Sequence, residues 1–152
     1  NKGISCNGIK QLKKFRTTEK MRIVADGQQI VRVDWDPSIL IEESCDYVLD
    51  QISLKLKNVN AIIVSDYNKG LCTESVVSGI ISKARKNKIP IFIDPKGKNW
   101  AKYCGASTIT PNLKESEIIL GRNLKNNQDI EEAGEEICTN FNIDRLLIYV
   151  NL

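Results

Sequence analysis

Histidine is absent from the 152 residues of this chain. Its absence excludes Ser-His-Asp and Cys-His catalytic triads, H-E-x-x-H zinc sites and every histidine general base. If the chain takes part in catalysis, carboxylates, lysines and backbone amides must therefore do the chemistry.

Cysteine is sparse and shows no disulfide or metal-binding pattern. The five cysteines are widely spaced, with no C-x-x-C pair among them: Cys6, Cys45, Cys72, Cys104 and Cys138. This odd number and spacing argue against a disulfide framework or a zinc ribbon, and they predict a reducing, cytoplasmic location. No apolar run approaches the roughly 20 residues that cross a bilayer, and no signal peptide is visible, so no membrane association is expected.

Neither sign of charge is in large excess, since 22 basic and 19 acidic residues give a net charge of +3. The basic residues concentrate only near the start of the chain, at Lys10, Lys13, Lys14, Arg16, Lys20 and Arg22. At so modest a net charge a solvated face explains this cluster better than a nucleic-acid site, and no nucleic-acid partner is predicted. The length indicates one globular domain that hides roughly 70% of its unfolded surface.

Two patterns of apolar residues organise the chain. Around Asp26-Gly27, the segment from Met21 to Val33 alternates apolar and polar residues, which predicts a β-hairpin with a tight turn. Beyond it, short apolar runs at residues 61–64, 91–93, 108–110 and 146–150 alternate with stretches of helical apolar spacing. This alternation predicts an α/β fold with a parallel sheet covered on both faces.

Three polar loops follow the predicted strands: SDYNKG at Ser65–Gly70, DPKGKNW at Asp94–Trp100 and TPNLKES at Thr110–Ser116. Loops at the carboxyl ends of parallel strands gather on one rim, where ligands of such sheets bind. Each loop carries a carboxylate or amide, and the first two add lysine and glycine, which suit a close approach to an anion. The rim is predicted to bind a phosphate-bearing ligand.

Each loop also has a purely structural interpretation. Asp66 and Asp94 can serve as caps or turn residues, while Lys69, Lys96 and Lys98 can be free surface charges. For a single loop this interpretation is the better one. The occurrence of three such loops on one rim favours a ligand.

Asn112 and Glu115 leave two alternatives open. A short helix is predicted from Leu113 to Leu120, ended by Gly121, and an amide at its N-cap with a glutamate three residues on forms a capping box. The same geometry places both side chains near the positive end of the helix, where Glu115 can hold a hydrated magnesium ion and Asn112 can face phosphate oxygens. The spacing alone does not decide between them.

The combination SDY-x-KG, DPKG and TPN-x-x-E, in this order after the hairpin and before the apolar run LLIYV, resembles bacterial D-glycero-β-D-manno-heptose 7-phosphate kinases. These kinases form the kinase half of ADP-heptose synthases, in the ribokinase-like PfkB family, and supply lipopolysaccharide precursors. The resemblance runs from Phe15 to Val150. It implies a three-layer α/β/α fold with a mostly parallel sheet and a hairpin lid, and transfer of the γ-phosphate of ATP, with Mg²⁺, to the anomeric hydroxyl of heptose 7-phosphate.

The resemblance also implies roles for particular residues. Asn112, Glu115 and Lys96 would bind ATP, and Glu115 would bind the metal. The substrate and phosphate cleft would be lined by Asp66, Lys69, Asp94, Arg22, Gln28 and Arg32. The hairpin would cover the sugar and join two copies of the chain into a homodimer.

The family's Gly-x-Gly-Asp motif, which supplies an anion hole and the catalytic base, does not occur in this sequence. No catalytic residue is therefore assigned, and the chain is interpreted as a partial kinase domain, with a lid at about residues 20–35 and a core at about 40–152, that is inactive alone. Two alternatives remain: a PfkB kinase fragment for another sugar, and a non-catalytic nucleotide- or phosphate-binding module.

Overall fold

The computed structural model describes residue 3 and residues 6–12, 16–36 and 45–150. The hairpin consists of the antiparallel strands β1 (Glu19–Ala25) and β2 (Gln28–Trp35). Asp26 and Gly27 between them have φ angles of 51° and 77°, as a two-residue type I′ turn requires. The predicted hairpin is confirmed.

The rest of the described chain alternates helices and strands. In order these are α1 (Cys45–Lys55), β3 (Ile62–Ser65), α2 (Glu74–Lys86), β4 (Ile91–Asp94), β5 (Thr108–Ile109), α3 (Leu113–Leu120), α4 (Asn127–Asn140) and β6 (Arg145–Leu146). Strands β3, β4, β5 and β6 form one sheet in that order, and every neighbouring pair is parallel. The predicted α/β fold with a parallel sheet is confirmed.

Strand β6 is shorter than the apolar run at residues 146–150 suggested. The backbone contacts continue past it, since the Leu147 amide donates to the Ile109 carbonyl at 3.0 Å and the Tyr149 amide donates to the Pro111 carbonyl at 3.1 Å. Pro111 has no amide proton to donate, so one backbone hydrogen bond of the parallel pairing is missing at this point. A single parallel bridge between Asn112 and Tyr149 resumes the pairing.

Helix α2 shows how local sequence builds the helical layer. The Thr73 side chain accepts a hydrogen bond from the Val76 amide and caps the helix. The five apolar residues that predicted this helix are all buried: Val76, Val77, Ile80, Ile81 and Ala84. Gly79 lets α1 approach closely, because a Cβ added there would lie 2.8 Å from Leu49 Cδ2.

The described helices all pack on one face of the sheet. Val64, Ile91, Ile93 and Ile109 point into a single apolar cluster to which α1, α2, α3 and α4 all contribute. Right-handed crossovers between strands that follow one another in order place the helices on the same side. On the opposite face Ile63 and Phe92, which are register neighbours, are 79% and 39% exposed. The described part of the chain thus provides the helical layer of one face.

None of the helices in the described ranges is long and apolar enough to cross a membrane. Some sequence-based expectations fall outside the described residues, namely Lys13 and Lys14 of the basic cluster and residues 40–44 and 151–152 of the expected core.

Candidate functional site

The three polar loops gather on one rim because the strands before them are parallel. The Asp66 amide donates to the Asp94 carbonyl at 3.1 Å, which joins the first loop to the second. The Thr110 amide donates to the Ile93 carbonyl at 2.9 Å and brings in the third. The rim therefore presents groups from three separate segments of the chain to one region.

Asn112 and Glu115 form a complete capping box at the start of α3. The Glu115 amide donates to Asn112 Oδ1 at 2.8 Å, and the Asn112 amide donates to Glu115 Oε2 at 3.0 Å. Gly121 ends the helix in the left-handed region with φ 68°. The first of the two alternatives for Asn112 and Glu115, the capping box, is thus present in the structure.

The cap uses only one of the two carboxylate oxygens of Glu115. Its Oε1 accepts a hydrogen bond from Lys96 Nζ, so Glu115 also forms an ion pair with the second rim loop. The Lys96 side chain is 52% exposed, whereas that of Glu115 is 12% exposed. The ammonium is therefore accessible from solvent while the carboxylate that holds it is fixed by the helix.

Asp94 belongs to the same electrostatic group. Partial burial raises the pKa of Asp94, and the negative charge of Glu115 raises it further, while Lys96 opposes the shift. The hydrogen bond to Glu115 raises the pKa of Lys96. Two carboxylates and one ammonium at the positive end of a helix can accommodate either a metal ion or the oxygens of a phosphate.

A magnesium ion fits this donor set only with help from a ligand. Among the residues that the structure describes, no group of three or more His, Cys, Asp or Glu side chains is arranged to hold a metal. Magnesium commonly keeps several waters and binds one or two carboxylates together with substrate phosphates. Glu115 and Asp94 match that type of site.

Asp66, expected to line the cleft, is instead buried, with an exposure of 2%. Its Oδ2 accepts hydrogen bonds from Lys102 Nζ at 2.6 Å and from the Tyr103 hydroxyl at 2.7 Å. Its Oδ1 accepts one from the Asn68 amide at 2.6 Å. The carboxylate of Asp66 is thus held inside the core and is not presented at the rim.

Lys69 of the first loop pairs with Asp36, the residue directly after the hairpin. The hydrogen bond from Lys69 is the main reason that the pKa of Asp36 is lowered. Asn68, with φ 53°, and Gly70, with φ 89°, shape the loop that presents Lys69. The base of the hairpin is thereby joined to the rim.

The hairpin itself has two different faces. On one face Arg22 lies directly opposite Arg32, which pairs with Asp34 at 3.1 Å. The other face is mostly apolar and largely exposed, with Met21, Ile23, Val31, Val33 and Trp35, and it carries Gln28 beside the turn, opposite Ala25.

Sequence reasoning missed Lys102, Tyr103 and Asp36. The alternation of side chains along β3 contained a signal for the buried network, because Val64 points into the core and Asp66, two residues later, continues on the same face. Asp94 follows Phe92 on the opposite, exposed face in the same way. Nothing in the sequence around Lys102 and Tyr103 indicated that they meet Asp66.

No protein-family model matches this chain. It is 36% identical over 148 residues to the bifunctional protein HldE of Geobacter sulfurreducens, covering 97% of this chain and 30% of that protein. It is 40% identical over 134 residues to the protein of the same name from Wolinella succinogenes, covering 88% and 28%. The chain therefore spans less than a third of the length of these relatives.

Among solved structures, the tetrameric inhibited form of phosphofructokinase-2 from Escherichia coli superimposes with a TM-score of 0.65 at 20% identity. The match covers 89% of this chain and 45% of that one. At this identity the likeness concerns the fold.

Proposed function

We propose that this chain forms part of a sugar kinase of the ribokinase-like PfkB family, because it is 36% and 40% identical to two HldE proteins and shares the fold of phosphofructokinase-2. The kinase transfers the γ-phosphate of ATP to the anomeric hydroxyl of heptose 7-phosphate. The observation that carries this proposal is the position of Glu115, which both caps α3 and holds Lys96 at the rim.

The nucleotide binds where the second and third rim loops meet. Lys96 offers a solvent-accessible positive charge, and the start of α3 adds the partial positive charge of a helix end. Glu115 and Asp94 supply the carboxylates for magnesium, which when bound neutralises charge on the phosphates. The Asn112 amide donates to Glu115 Oε2 and so fixes the orientation of that carboxylate. Lys69 extends the positive charge of the rim toward the hairpin.

The phosphate already on the sugar is held by the polar face of the hairpin. Like charges directly opposite each other on a sheet repel, so the Arg22–Arg32 pair is unfavourable unless an anion lies between the two guanidinium groups. Asp34 neutralises part of the charge of Arg32 and leaves Arg22 to meet the ligand. Gln28 belongs to the other face of the hairpin, but it lies beside the turn, and from there its amide is offered to the sugar hydroxyls.

The hairpin also joins two copies of the chain through its apolar face. A lone two-stranded hairpin is marginally stable in water, and exposed strand edges invite pairing. Met21 and Ile23 are 49% and 47% exposed, and Val31 and Trp35 are 43% and 46% exposed. A second copy packed against this face would bury a continuous row of apolar side chains.

The identity of the sugar rests on the similarity to the HldE proteins. The alternatives are a kinase for another phosphorylated sugar and a non-catalytic module that binds nucleotide or phosphate. Titration of the hairpin with different phosphate ligands distinguishes these alternatives. We expect heptose 7-phosphate to shift the NMR resonance of the Arg32 amide at lower concentration than fructose 6-phosphate or inorganic phosphate, and Arg22→Gln to abolish the shift. Equal responses to all three ligands would favour the non-catalytic module.

The nucleotide proposal is tested by titrating the chain with ATP, with and without magnesium, and following binding by calorimetry or NMR chemical shifts. We expect weak binding that requires magnesium and that Lys96→Ala reduces by about tenfold, the effect of one charge-assisted contact. Lys98→Ala, on the same loop, is the matched control and leaves the affinity unchanged. Binding that is absent, or equal in both variants, contradicts the proposal.

A further inference from the structure

Lys102, Asp66 and Tyr103 form a buried polar cluster behind the rim. Lys102 is 8% exposed, Asp66 2% and Tyr103 0%. Lys102 Nζ donates to Asp66 Oδ2 at 2.6 Å and to the Cys72 carbonyl at 3.0 Å. A buried charge survives only when it is paired and hydrogen-bonded, and here both charges meet that condition.

Tyr103 connects this cluster to the loop that carries Lys96. Its hydroxyl donates to Asp66 Oδ2 at 2.7 Å and accepts a hydrogen bond from the Lys96 amide at 3.0 Å. Burial is the main cause that raises the pKa of Tyr103, so the hydroxyl keeps its proton in the physiological range. One hydroxyl therefore joins a buried carboxylate to the backbone of the rim.

A second contact holds the next residue of the same loop. Trp100 Nε1 donates to the Gly97 carbonyl at 3.2 Å, and the Trp100 ring packs edge-on against Tyr103 with 6.4 Å between ring centroids. Gly97 has φ 84°, which favours glycine at this position. The backbone at Lys96 and Gly97 is thus fixed from the protein interior, while the Lys96 side chain extends into solvent.

We propose that Tyr103 is a positioning residue that uses the buried Asp66–Lys102 pair to fix the backbone of Lys96, and thereby sets where the Lys96 ammonium meets a bound phosphate. The claim that Tyr103 sets where Lys96 meets a phosphate rests on the proposed function. The part that concerns the backbone stands on its own. Tyr103 does not touch the ligand and acts through Lys96.

The backbone part is tested by hydrogen exchange of single amides. In the unmodified chain we expect the Lys96 amide to be protected by its bond to Tyr103, and exchange at the rate of an unstructured peptide overturns the proposal without any variant. Tyr103→Phe keeps the buried ring and removes the hydroxyl. Because this leaves the amide without its acceptor, we expect the Lys96 amide to exchange about tenfold faster or more. The Thr110 amide, which lies in the sheet ladder, serves as the reference and changes less than about twofold.

Two outcomes contradict the backbone part. An unchanged Lys96 amide in Tyr103→Phe shows that the hydroxyl does not hold the loop. Equal acceleration at Lys96 and Thr110 shows a loss of global stability in place of a local tether. Tyr67→Phe is the matched control, since Tyr67 is 68% exposed on the first rim loop, and it leaves both rates unchanged.

The phosphate part is tested by a double-mutant cycle on magnesium–ATP affinity. We expect Tyr103→Phe to weaken binding about fivefold, and to have no further effect in a chain that already carries Lys96→Ala, because Tyr103 acts through that side chain. Additive effects overturn the proposal. If the unmodified chain does not bind magnesium–ATP, the proposed function fails, and the amide exchange still decides whether Tyr103 fixes the loop.

Discussion

Replacing Glu115 with glutamine separates its two roles at the corner of the rim. Glutamine keeps a side-chain oxygen that can accept from the Asn112 amide, so the capping box persists. It loses the negative charge that holds Lys96 and that would hold a metal ion. We expect nearly unchanged stability together with loss of magnesium-dependent nucleotide binding.

Glu115→Gln changes the free energy of unfolding only slightly, because the two interactions that it removes are both weak. The Lys96 side chain is 52% exposed, and ion pairs of this kind contribute about 0–1 kcal/mol. A carboxylate in the first turn contributes about 0.3–1 kcal/mol through the helix dipole. Removing the charge also relieves repulsion with Asp94, which offsets part of both losses. The net change is about 1 kcal/mol or less, equivalent to a shift in Tm of about 2–4 °C for a chain of this size.

The assay combines thermal unfolding with titration by ATP at several magnesium concentrations. Asn112→Ala is the matched variant, because it removes the cap acceptor and costs about 1 kcal/mol while leaving the carboxylate in place. Glu115→Gln is expected to affect mainly binding and Asn112→Ala mainly stability. Equal magnesium–ATP affinity for Glu115→Gln and the unmodified chain would refute the functional role of Glu115.

Three further outcomes are expected. The pKa of Asp94 is higher in the folded chain than its ordinary value of 3.8, so the folded state disfavours the ionised carboxylate. As the pH rises above 3.8, the unfolded chain ionises first and the free energy of unfolding falls. Asp94→Asn should therefore be more stable than the parent at pH 7 in urea unfolding, with the difference vanishing below about pH 3; a constant difference would contradict this. Ile23→Lys, in the apolar face of the hairpin, should lower the association constant in sedimentation equilibrium, and a parent chain that is strictly monomeric with an ordered hairpin would refute the dimer. The 152-residue polypeptide alone should show no heptose-dependent release of ADP in a coupled assay, because it contains no Gly-x-Gly-Asp turn, and turnover above a no-enzyme control would show that another group acts as base.

Local signals were enough for much of the fold. Asp26-Gly27 located the hairpin, and Asn112 with Gly121 located both ends of α3, because caps and tight turns depend on residues close in sequence. The parallel sheet followed from the alternation of strands and helices. The length of β6 did not, because the missing amide of Pro111 acts on a strand more than thirty residues away.

The candidate site was predictable only in part. The loops were located by their strands, so the meeting of Lys96 with Glu115 agrees with the expectation that the second and third loops share a rim. The burial of Asp66 depends on Lys102 and Tyr103, which approach it only through tertiary packing. A carboxylate directly after a buried strand can enter the core or face the rim, and the position of the preceding inward side chain, Val64, is what distinguishes the two.

The pairing of two rim lysines with carboxylates determines which form of a nucleotide the site would accept. Lys69 is paired with Asp36 and Lys96 with Glu115. A nucleotide without metal would compete for Lys96 and leave the Glu115 carboxylate facing phosphate oxygens of the same sign. A nucleotide that carries a divalent cation supplies a new partner to each side at once, since phosphate replaces the carboxylate for lysine and the cation replaces lysine for the carboxylate. Lys96 and Glu115 each change partner and neither is left unpaired. On the proposed function, this corner therefore discriminates against metal-free nucleotide without needing a preformed metal site.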